Sequence, residues 1–191
     1  MLCLLCDTNP RWIESALSNI NSILIDHAHC EKKAVATGLS ILSNYPEKTE
    51  ISLAMSDLVE EEIGHYRSVV NIIKSRNLSL IKDKGDNYAR ELLQSINKNE
   101  PKRLLDRLLT AGIIEARSFE RLMLLGDNLN ESKLKKFYTE LASSEAGHYV
   151  TYTKLAKLYF NEDEVKNRLD ELTEIERKIV ISLPNKPTIH G

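Results

Sequence analysis

The chain has 191 residues, long enough for one compact domain whose core needs neither disulfides nor a structural metal. Charged residues make up 28% of it and the formal net charge is −2, which excludes an overall basic field for nucleic acid and an acidic disordered tail. Three cysteines favour a reducing cytosol, and no apolar run approaches the roughly 20 residues that cross a bilayer. We therefore expect a cytoplasmic protein without a membrane partner.

Apolar residues recur every three or four positions along the chain, which predicts an all-α fold with no strand anywhere. The segment Asp7-Thr8-Asn9-Pro10 offers a cap and a proline suited to a first helical turn. A short helix should run from Pro10 to about Ser18 and lead into a long helix that ends near Asn44. Pro46 breaks that helix, and a second long helix should run to about Arg76.

The rest of the chain predicts two further long helices. Pro101 suits a first helical turn, Gly126 is a favoured helix terminator, and Asp163 offers a cap. The predicted elements are a loop at 77–86 with its turn at 84–86, a short helix at 87–98, a long helix at 101–126, a turn at 127–132, a long helix at 133–160 and a last helix at 161–181. Four long helices in two hairpins predict a four-helix bundle with extra short helices, forming a single domain over residues 1–191.

Two nearly identical motifs stand in the middle of the second and fourth long helices. They are EEIGHY, from Glu61 to Tyr66, and SEAGHY, from Ser144 to Tyr149. Because three residues turn a helix by about 300°, Glu62 and His65 share one face, as do Glu145 and His148, and each pair can hold a metal ion. One Glu-x-x-His is usually a solvated surface feature, but two copies, each followed by Tyr, favour a ligand role.

The first and third long helices offer a carboxylate at the same depth. Residues equally distant from the turn of an antiparallel hairpin face each other, so Glu62 should face Glu31 and Glu145 should face Glu115. Both single glutamates lie about fifteen residues, or ~22 Å, from their turns at 1.5 Å per residue. The six side chains should therefore meet in one layer of the bundle.

This combination is a known metal-binding set. One Glu from each of two helices plus Glu-x-x-His from each of the other two binds the metal pair of di-iron and di-manganese carboxylate bundles. Carboxylate oxygens and imidazole nitrogens suit either metal, whereas four buried carboxylates without metal would repel one another. Small residues near the single glutamates leave room for ions: Ala28, Ala34, Ala111 and Gly112. The expected metal ligands and catalytic residues are Glu31, Glu62, His65, Glu115, Glu145 and His148.

Several other residues have weaker claims to a role. His27, one turn before Glu31, is either a partly exposed helix histidine, which we favour, or a hydrogen-bond partner of the ligand or an extra ligand. Tyr66 and Tyr149 are expected to be packing residues rather than radical or gating residues. Phe119, four residues after Glu115, either walls a substrate pocket or packs in the core.

The remaining histidines and cysteines give no clear signal. His29 and His190 have no partners at useful spacing, so no role is assigned to them. Cys3-Leu4-Leu5-Cys6 has C-x-x-C spacing, but no second such pair completes a zinc site. We favour a buried apolar N-terminal strip for this segment.

Four segments of the chain resemble a known family. They are DHAHCEKKA (Asp26 to Ala34), EEEIGHY (Glu60 to Tyr66), IEARSFERL (Ile114 to Leu122) and SSEAGHY (Ser143 to Tyr149), together with the opening MLCLLCDTNPRWI. They are similar to those of MiaE, the tRNA 2-methylthio-isopentenyladenosine hydroxylases, and the resemblance covers nearly the whole chain. It implies a ferritin-like fold and a non-haem di-iron centre, and the six expected ligands match the family's six.

The resemblance also implies a reaction and partners. The family uses dioxygen as co-substrate and two electrons to hydroxylate the isopentenyl side chain of a modified adenosine beside the tRNA anticodon. The partners would be a tRNA substrate and an external electron donor, a ferredoxin or a reductase, because the chain has no G-x-G-x-x-G motif for flavin or NAD. Basic groups that could contact phosphates are Lys32, Lys33, Lys98, Lys102, Arg103, Arg107, Lys133, Lys135 and Lys136, although a solvated helix face is favoured for each cluster.

Other proteins share such a metal set. A ferritin or bacterioferritin would assemble into a cage, and a rubrerythrin-like peroxidase normally carries paired C-x-x-C motifs, whereas this chain has one. A di-manganese catalase would disproportionate peroxide without a reductant. A helical interaction module with accidental Glu-x-x-His pairs would bind no iron.

Overall fold

The computed structural model describes residues 2–83 and 85–190, and over these residues its regular secondary structure is entirely helical. The all-α prediction is confirmed. The described helices are α1 Pro10–Ser18, α2 Ile20–Asn44, α3 Thr49–Ser75, α4 Asn87–Leu93, α5 Lys102–Asn128, α6 Ser132–Tyr159 and α7 Glu162–Ser182. Part of the turn predicted at 84–86 lies outside the described residues, since Lys84 is not among them. Gly85 has a φ of 89°, in the left-handed region that favours glycine.

Two helix ends differ from the prediction by more than one residue, and one predicted cap is wrong. The short helix α4 ends at Leu93 rather than at Lys98, because the amides of Ser95 and Ile96 bond carbonyls only three residues back. The buried carboxylate of Asp106 then accepts the next amide, that of Asn97, at 2.7 Å. Competition from this carboxylate draws the chain out of the helix.

Helices α5 and α7 account for the other two differences. Gly126 does not terminate α5, which continues to Asn128; a Cβ at Gly126 would lie 2.6 Å from the hydroxyl of Thr139 on α6. The glycine therefore serves a close helix approach. At α7 the N-cap is Asn161, whose side chain accepts the amide of Asp163, so the expected cap at Asp163 is wrong.

The described residues divide into two compact units. The α2–α3 unit contains residues 18–83, 85 and 187–189. Its two long helices form an antiparallel hairpin with a tight approach at Gly38, where a Cβ would lie 2.7 Å from a methyl of Val59. Ile41, Ile51 and Met55 are fully buried in this unit.

The α5–α6 unit contains residues 2–17, 86–186 and 190, and α5 is its most buried helix. Arg117 and Glu176 form a fully buried ion pair, with Nε donating to Oε1 at 2.8 Å and a second nitrogen donating to Oε2 at 3.1 Å. Arg117 also donates to the carbonyl of Cys6 at 3.0 Å and to the hydroxyl of Thr8 at 3.3 Å. The guanidinium of Arg117 thus links α5, α7 and the N-terminal segment. Its buried N–H groups all need acceptors, and these contacts supply them.

None of the helices described combines the length and apolar character needed to cross a membrane.

Candidate metal centre

The α2–α3 unit brings three of the predicted ligands together. The ligand atoms of Glu31, Glu62 and His65 lie within 4.8 Å of one another, and we call them the α2–α3 triad. His65 Nδ1 lies 3.4 Å from Glu62 Oε2 and 3.7 Å from Glu31 Oε2. The two carboxylates are 2% and 1% exposed, while the imidazole is 19% exposed. The triad is therefore a buried carboxylate pair with a more accessible imidazole beside it.

Helix geometry explains this placement. Glu62 and His65 are three residues apart on α3 and project from one face. Glu31 stands opposite on α2 because both glutamates are about fifteen residues from the turn of the hairpin, as expected from the sequence. Ala28, three residues before Glu31 on α2, is fully buried.

The charges of the α2–α3 triad perturb each other strongly. Burial alone would lower the pKa of His65, but hydrogen bonds and charges of Glu31 and Glu62 outweigh it and raise the pKa to about 10. Burial would raise the pKa of Glu31, yet the charge and hydrogen bond of His27, with help from His65, lower it to about 2. In the metal-free protein a proton on His65 therefore partly balances two carboxylates, and a metal ion has to displace it.

The α5–α6 unit holds the other three predicted ligands. The ligand atoms of Glu115, Glu145 and His148 lie within 4.8 Å of one another, and we call them the α5–α6 triad. All three side chains are buried, and His148 Nδ1 lies 3.8 Å from Glu145 Oε2. Gly112, one turn before Glu115, has no room for a Cβ without crowding Tyr152 at 3.3 Å. Small residues thus permit close packing of α5 on α6 next to the triad.

Each triad offers the donor set that a first-row divalent metal takes. Two carboxylates and one imidazole provide oxygen and nitrogen ligands without thiolates, which suits iron or manganese better than a structural zinc. Burying two carboxylates beside one imidazole is costly unless a cation compensates them. The residues therefore fit a metal ion in each unit.

His27 differs from the favoured expectation. A partly exposed helix histidine was expected, but His27 is 2% exposed and its Nε2 lies 2.6 Å from Glu31 Oε1. The four-residue spacing indicated a shared face, but one helix alone could not show that this face is buried.

Tyr149 and Phe119 also have defined surroundings in the α5–α6 unit. Tyr149 hydrogen bonds the thiol of Cys3; burial is the main reason why the pKa of Tyr149 is higher than usual and that of Cys3 rises to about 11. Phe119 lines a cavity of about 320 Å³ with Leu4, Ala116 and Met123 among its other walls. The N-terminal segment is not a continuous buried strip, because Leu4 is buried whereas Leu2 and Leu5 are exposed.

Sequence reasoning missed the partners of two histidines. His29 Nε2 donates to the carbonyl of Ile81 at 2.8 Å and fastens α2 to the following loop. His190 lies 3.0 Å from the hydroxyl of Ser118 and stacks on Tyr88 with ring centroids 5.1 Å apart. Both sets of partners are distant in sequence, so the local spacing of residues could not predict these contacts.

The basic clusters have mixed surroundings. Lys33 pairs with Asp83 at 3.2 Å and Lys136 pairs with Glu140 at 3.6 Å, which supports a structural or solvated role for these two. Lys98, Lys102 and Arg103, near the start of α5, are exposed. These three side chains are open to an external anion, as is that of Lys133 on α6.

A family model and two relatives that match this chain are all described as tRNA hydroxylases. A family model described as tRNA-(MS2IO6A)-hydroxylase (MiaE) matches residues 1–191. The tRNA 2-(methylsulfanyl)-N(6)-isopentenyladenosine(37) hydroxylase of Pseudomonas putida is 35% identical over 97% of this chain and 90% of its own length. The protein of the same name from Salmonella typhimurium is 28% identical over 97% of this chain and 86% of its own length.

A solved structure shares the fold. It is described as protein 43 with aldehyde deformylating oxygenase activity from Synechococcus, and it is 33% identical with a TM-score of 0.95, covering 100% of this chain and 96% of that chain. The ferritin-like class expected from the sequence is confirmed by this likeness.

Proposed function

The chain belongs to the MiaE family of tRNA hydroxylases, and from this membership we propose that it hydroxylates the isopentenyl side chain of 2-methylthio-isopentenyladenosine next to the tRNA anticodon. The observation that carries the proposal is the two triads, each with two buried carboxylates and an imidazole, in a chain matched over its whole length by that family. The substrate is a tRNA and the co-substrate is dioxygen.

We propose that the two triads supply the ligands of two iron ions, three from each unit: Glu31, Glu62, His65, Glu115, Glu145 and His148. An iron pair held by these residues would supply the oxidising power for hydroxylating a C–H bond of the side chain, with two electrons drawn from an external ferredoxin or reductase.

The protein's own residues prepare this chemistry in two ways. Burial of the four carboxylates keeps bulk water from the ligands and limits side reactions of a strong oxidant. The 19% exposure of His65 marks the α2–α3 triad as the more accessible of the two, since His148 is only 6% exposed. We propose that small molecules reach the metals from the His65 side.

The target base has to leave its stacked position to be hydroxylated. Modified bases of single-stranded loops are read unstacked, while Lys and Arg side chains hold the surrounding phosphates. Exposed Lys98, Lys102 and Arg103 at the start of α5 are our candidates for such phosphate contacts.

The direct test uses the iron-loaded protein with dioxygen, a reductant and tRNA from cells that lack this enzyme. We expect mass analysis of the nucleosides to show the gain of one oxygen on the isopentenyl adenosine. Unchanged nucleosides, from a protein that does bind iron, would exclude this substrate.

A second candidate is oxygen chemistry on an aldehyde, favoured by the likeness to the Synechococcus protein. The same loaded protein should be given a long-chain aldehyde in a parallel reaction. Hydrocarbon release without change in tRNA would favour this candidate over tRNA hydroxylation.

A further inference from the structure

In the α2–α3 triad a further imidazole, that of His27, lies against the single glutamate Glu31. In the α2–α3 unit, His27 Nε2 lies 2.6 Å from Glu31 Oε1, and both side chains are 2% exposed. The corresponding position of α5, one turn before Glu115, is Ala111, which is 5% exposed and has no polar side-chain atom. The sequence symmetry that relates the ligands therefore stops at this pair of positions.

The two carboxylate oxygens of Glu31 have different neighbours. Oε1 accepts from His27, whereas Oε2 points toward the other members of the triad and lies 3.7 Å from His65 Nδ1. A charge-assisted hydrogen bond is short and directional, so it fixes the carboxylate plane and not just its location. Both groups stand on α2 four residues apart, where the helix itself holds the pair in register.

We propose that His27 is a positioning residue that orients Glu31 toward the metal ion of the α2–α3 triad and thereby raises the metal affinity of that triad. This inference rests on the proposed function, since it assumes that the triads bind iron. Groups that hold a metal-ligating carboxylate by a hydrogen bond typically account for 10–100-fold in metal affinity. Position 111, four residues before Glu115, is an alanine, so the substitution of His27 tests one metal position alone.

The test is anaerobic titration of the metal-free protein with Fe(II), analysed as two binding sites. In His27→Leu, which introduces an apolar side chain of similar bulk, we expect one site to weaken by about 10–100-fold and the other to stay unchanged. In His27→Gln the side-chain amide can still donate to Glu31, so the affinity should return to within a few-fold of the wild type. Mössbauer spectra of the loaded variants should show a change in one of the two iron signals.

The matched control is His29→Gln. His29 lies two residues farther along α2 and is 5% exposed, but it bonds the carbonyl of Ile81 and a nitrogen of Lys32 rather than the triad. This variant reports the effect of disturbing a buried histidine of the same helix, and it should leave both iron affinities unchanged. Should His27→Leu fail to fold, His27→Asn replaces it, because its shorter amide cannot reach the carboxylate.

Three outcomes would overturn the inference. Equal affinities in His27→Leu and wild type, or equal weakening of both sites, would show that His27 does not orient one ligand. Failure of His27→Gln to restore affinity would show that His27 does not act by donating a hydrogen bond to Glu31. A wild-type protein that binds no iron would refute the proposed function itself, whereas two bound ions with no effect of the substitutions would refute only the role of His27.

Discussion

Glu61 and Glu62 are adjacent in the chain but lie in different environments. Glu62 is 1% exposed in the α2–α3 triad, whereas Glu61 is exposed on the outer face of α3. Substitution Glu62→Gln keeps the shape and removes the charge that a metal ion needs. We expect bound iron to fall from two ions per chain to one or fewer, measured by metal analysis after desalting.

The neighbouring substitution Glu61→Gln is the control for that experiment. It removes the same charge from the same helix and should leave the iron content at two ions per chain. Equal iron content in both variants would contradict the assignment of Glu62 as a ligand.

At the scale of residues, the sequence predicted those contacts that follow from the number of residues between two positions. Glu31 and Glu62 come together because both are equally far from one turn, and the spacing of Glu62 and His65 follows from helix geometry. The burial of His27 could not be predicted, since a single helix does not reveal which neighbours cover it. Nor could the pairing of Arg117 with Glu176, whose positions have no shared turn or motif.

Helices α2 and α3 approach each other closely at Gly38. An added Cβ would lie 2.7 Å from a methyl of Val59, whose β-branched side chain has few alternative rotamers in a helix. We expect Gly38→Ala to lower the free energy of unfolding by about 1–2 kcal/mol despite its better helix propensity. Urea denaturation of the metal-free protein measures this change.

Gly64 on the facing helix provides the opposite case. A Cβ there would meet nothing within 4 Å, so Gly64→Ala should raise the free energy of unfolding by about 0.5–1 kcal/mol. The same sign for both substitutions would contradict the close approach at Gly38.

Asp106 joins three parts of the α5–α6 unit. It accepts from the side chain of Arg168 on α7 at 2.7 and 2.8 Å and from Asn97 in the preceding loop. Burial would raise the pKa of Asp106, but the hydrogen bonds from Arg168 and Asn97 lower it below its usual 3.8. We expect Asp106→Asn to lower the free energy of unfolding by about 2–3 kcal/mol at neutral pH.

The lowered pKa of Asp106 determines how the stability loss in Asp106→Asn depends on pH. A carboxyl group with a lowered pKa in the folded state stabilises the protein above its unfolded pKa, and this contribution disappears as the pH falls below about 3.8. The gap between wild type and Asp106→Asn in urea midpoints should therefore narrow from pH 5 to pH 3. The exposed pair Lys166–Asp170 is the control, and Asp170→Asn should leave the urea midpoint nearly unchanged over the same pH range.

Element boundaries were predictable where local signals act alone. Pro10 begins α1 as expected, and α6 lies within one residue of its predicted limits. Prediction failed where residues distant in sequence make contacts at the boundary. Gly126 resembles a helix terminator but instead leaves room for Thr139 on α6, and Asp106 accepts the amide of Asn97 just beyond the end of α4. The physical causes of these differences are tertiary contacts that a local pattern does not contain.

Recognition of a whole tRNA would extend beyond the metal centre. Lys102 and Arg103 lie about 20 Å before Glu115 along α5 at 1.5 Å per residue, a distance that an anticodon arm easily spans. We expect Lys102→Ala with Arg103→Ala to weaken tRNA binding and to reduce the slope of log K against log salt by about 1–2, because up to two phosphate contacts are lost.

Lys136→Ala is the control for tRNA binding, since this exposed lysine already pairs with Glu140. It should leave the salt slope unchanged in fluorescence anisotropy titrations. Identical slopes for wild type, the double variant and Lys136→Ala would place the tRNA contacts elsewhere on the chain.

The prediction of one domain over residues 1–191 stays a prediction.

The most direct measurement of the central claim is anomalous diffraction at the iron edge from crystals of the iron-loaded protein. We predict two iron peaks per chain, one coordinated by Glu31, Glu62 and His65 and the other by Glu115, Glu145 and His148. Iron bound at other side chains, or an iron-free centre in a protein that hydroxylates tRNA, would contradict it.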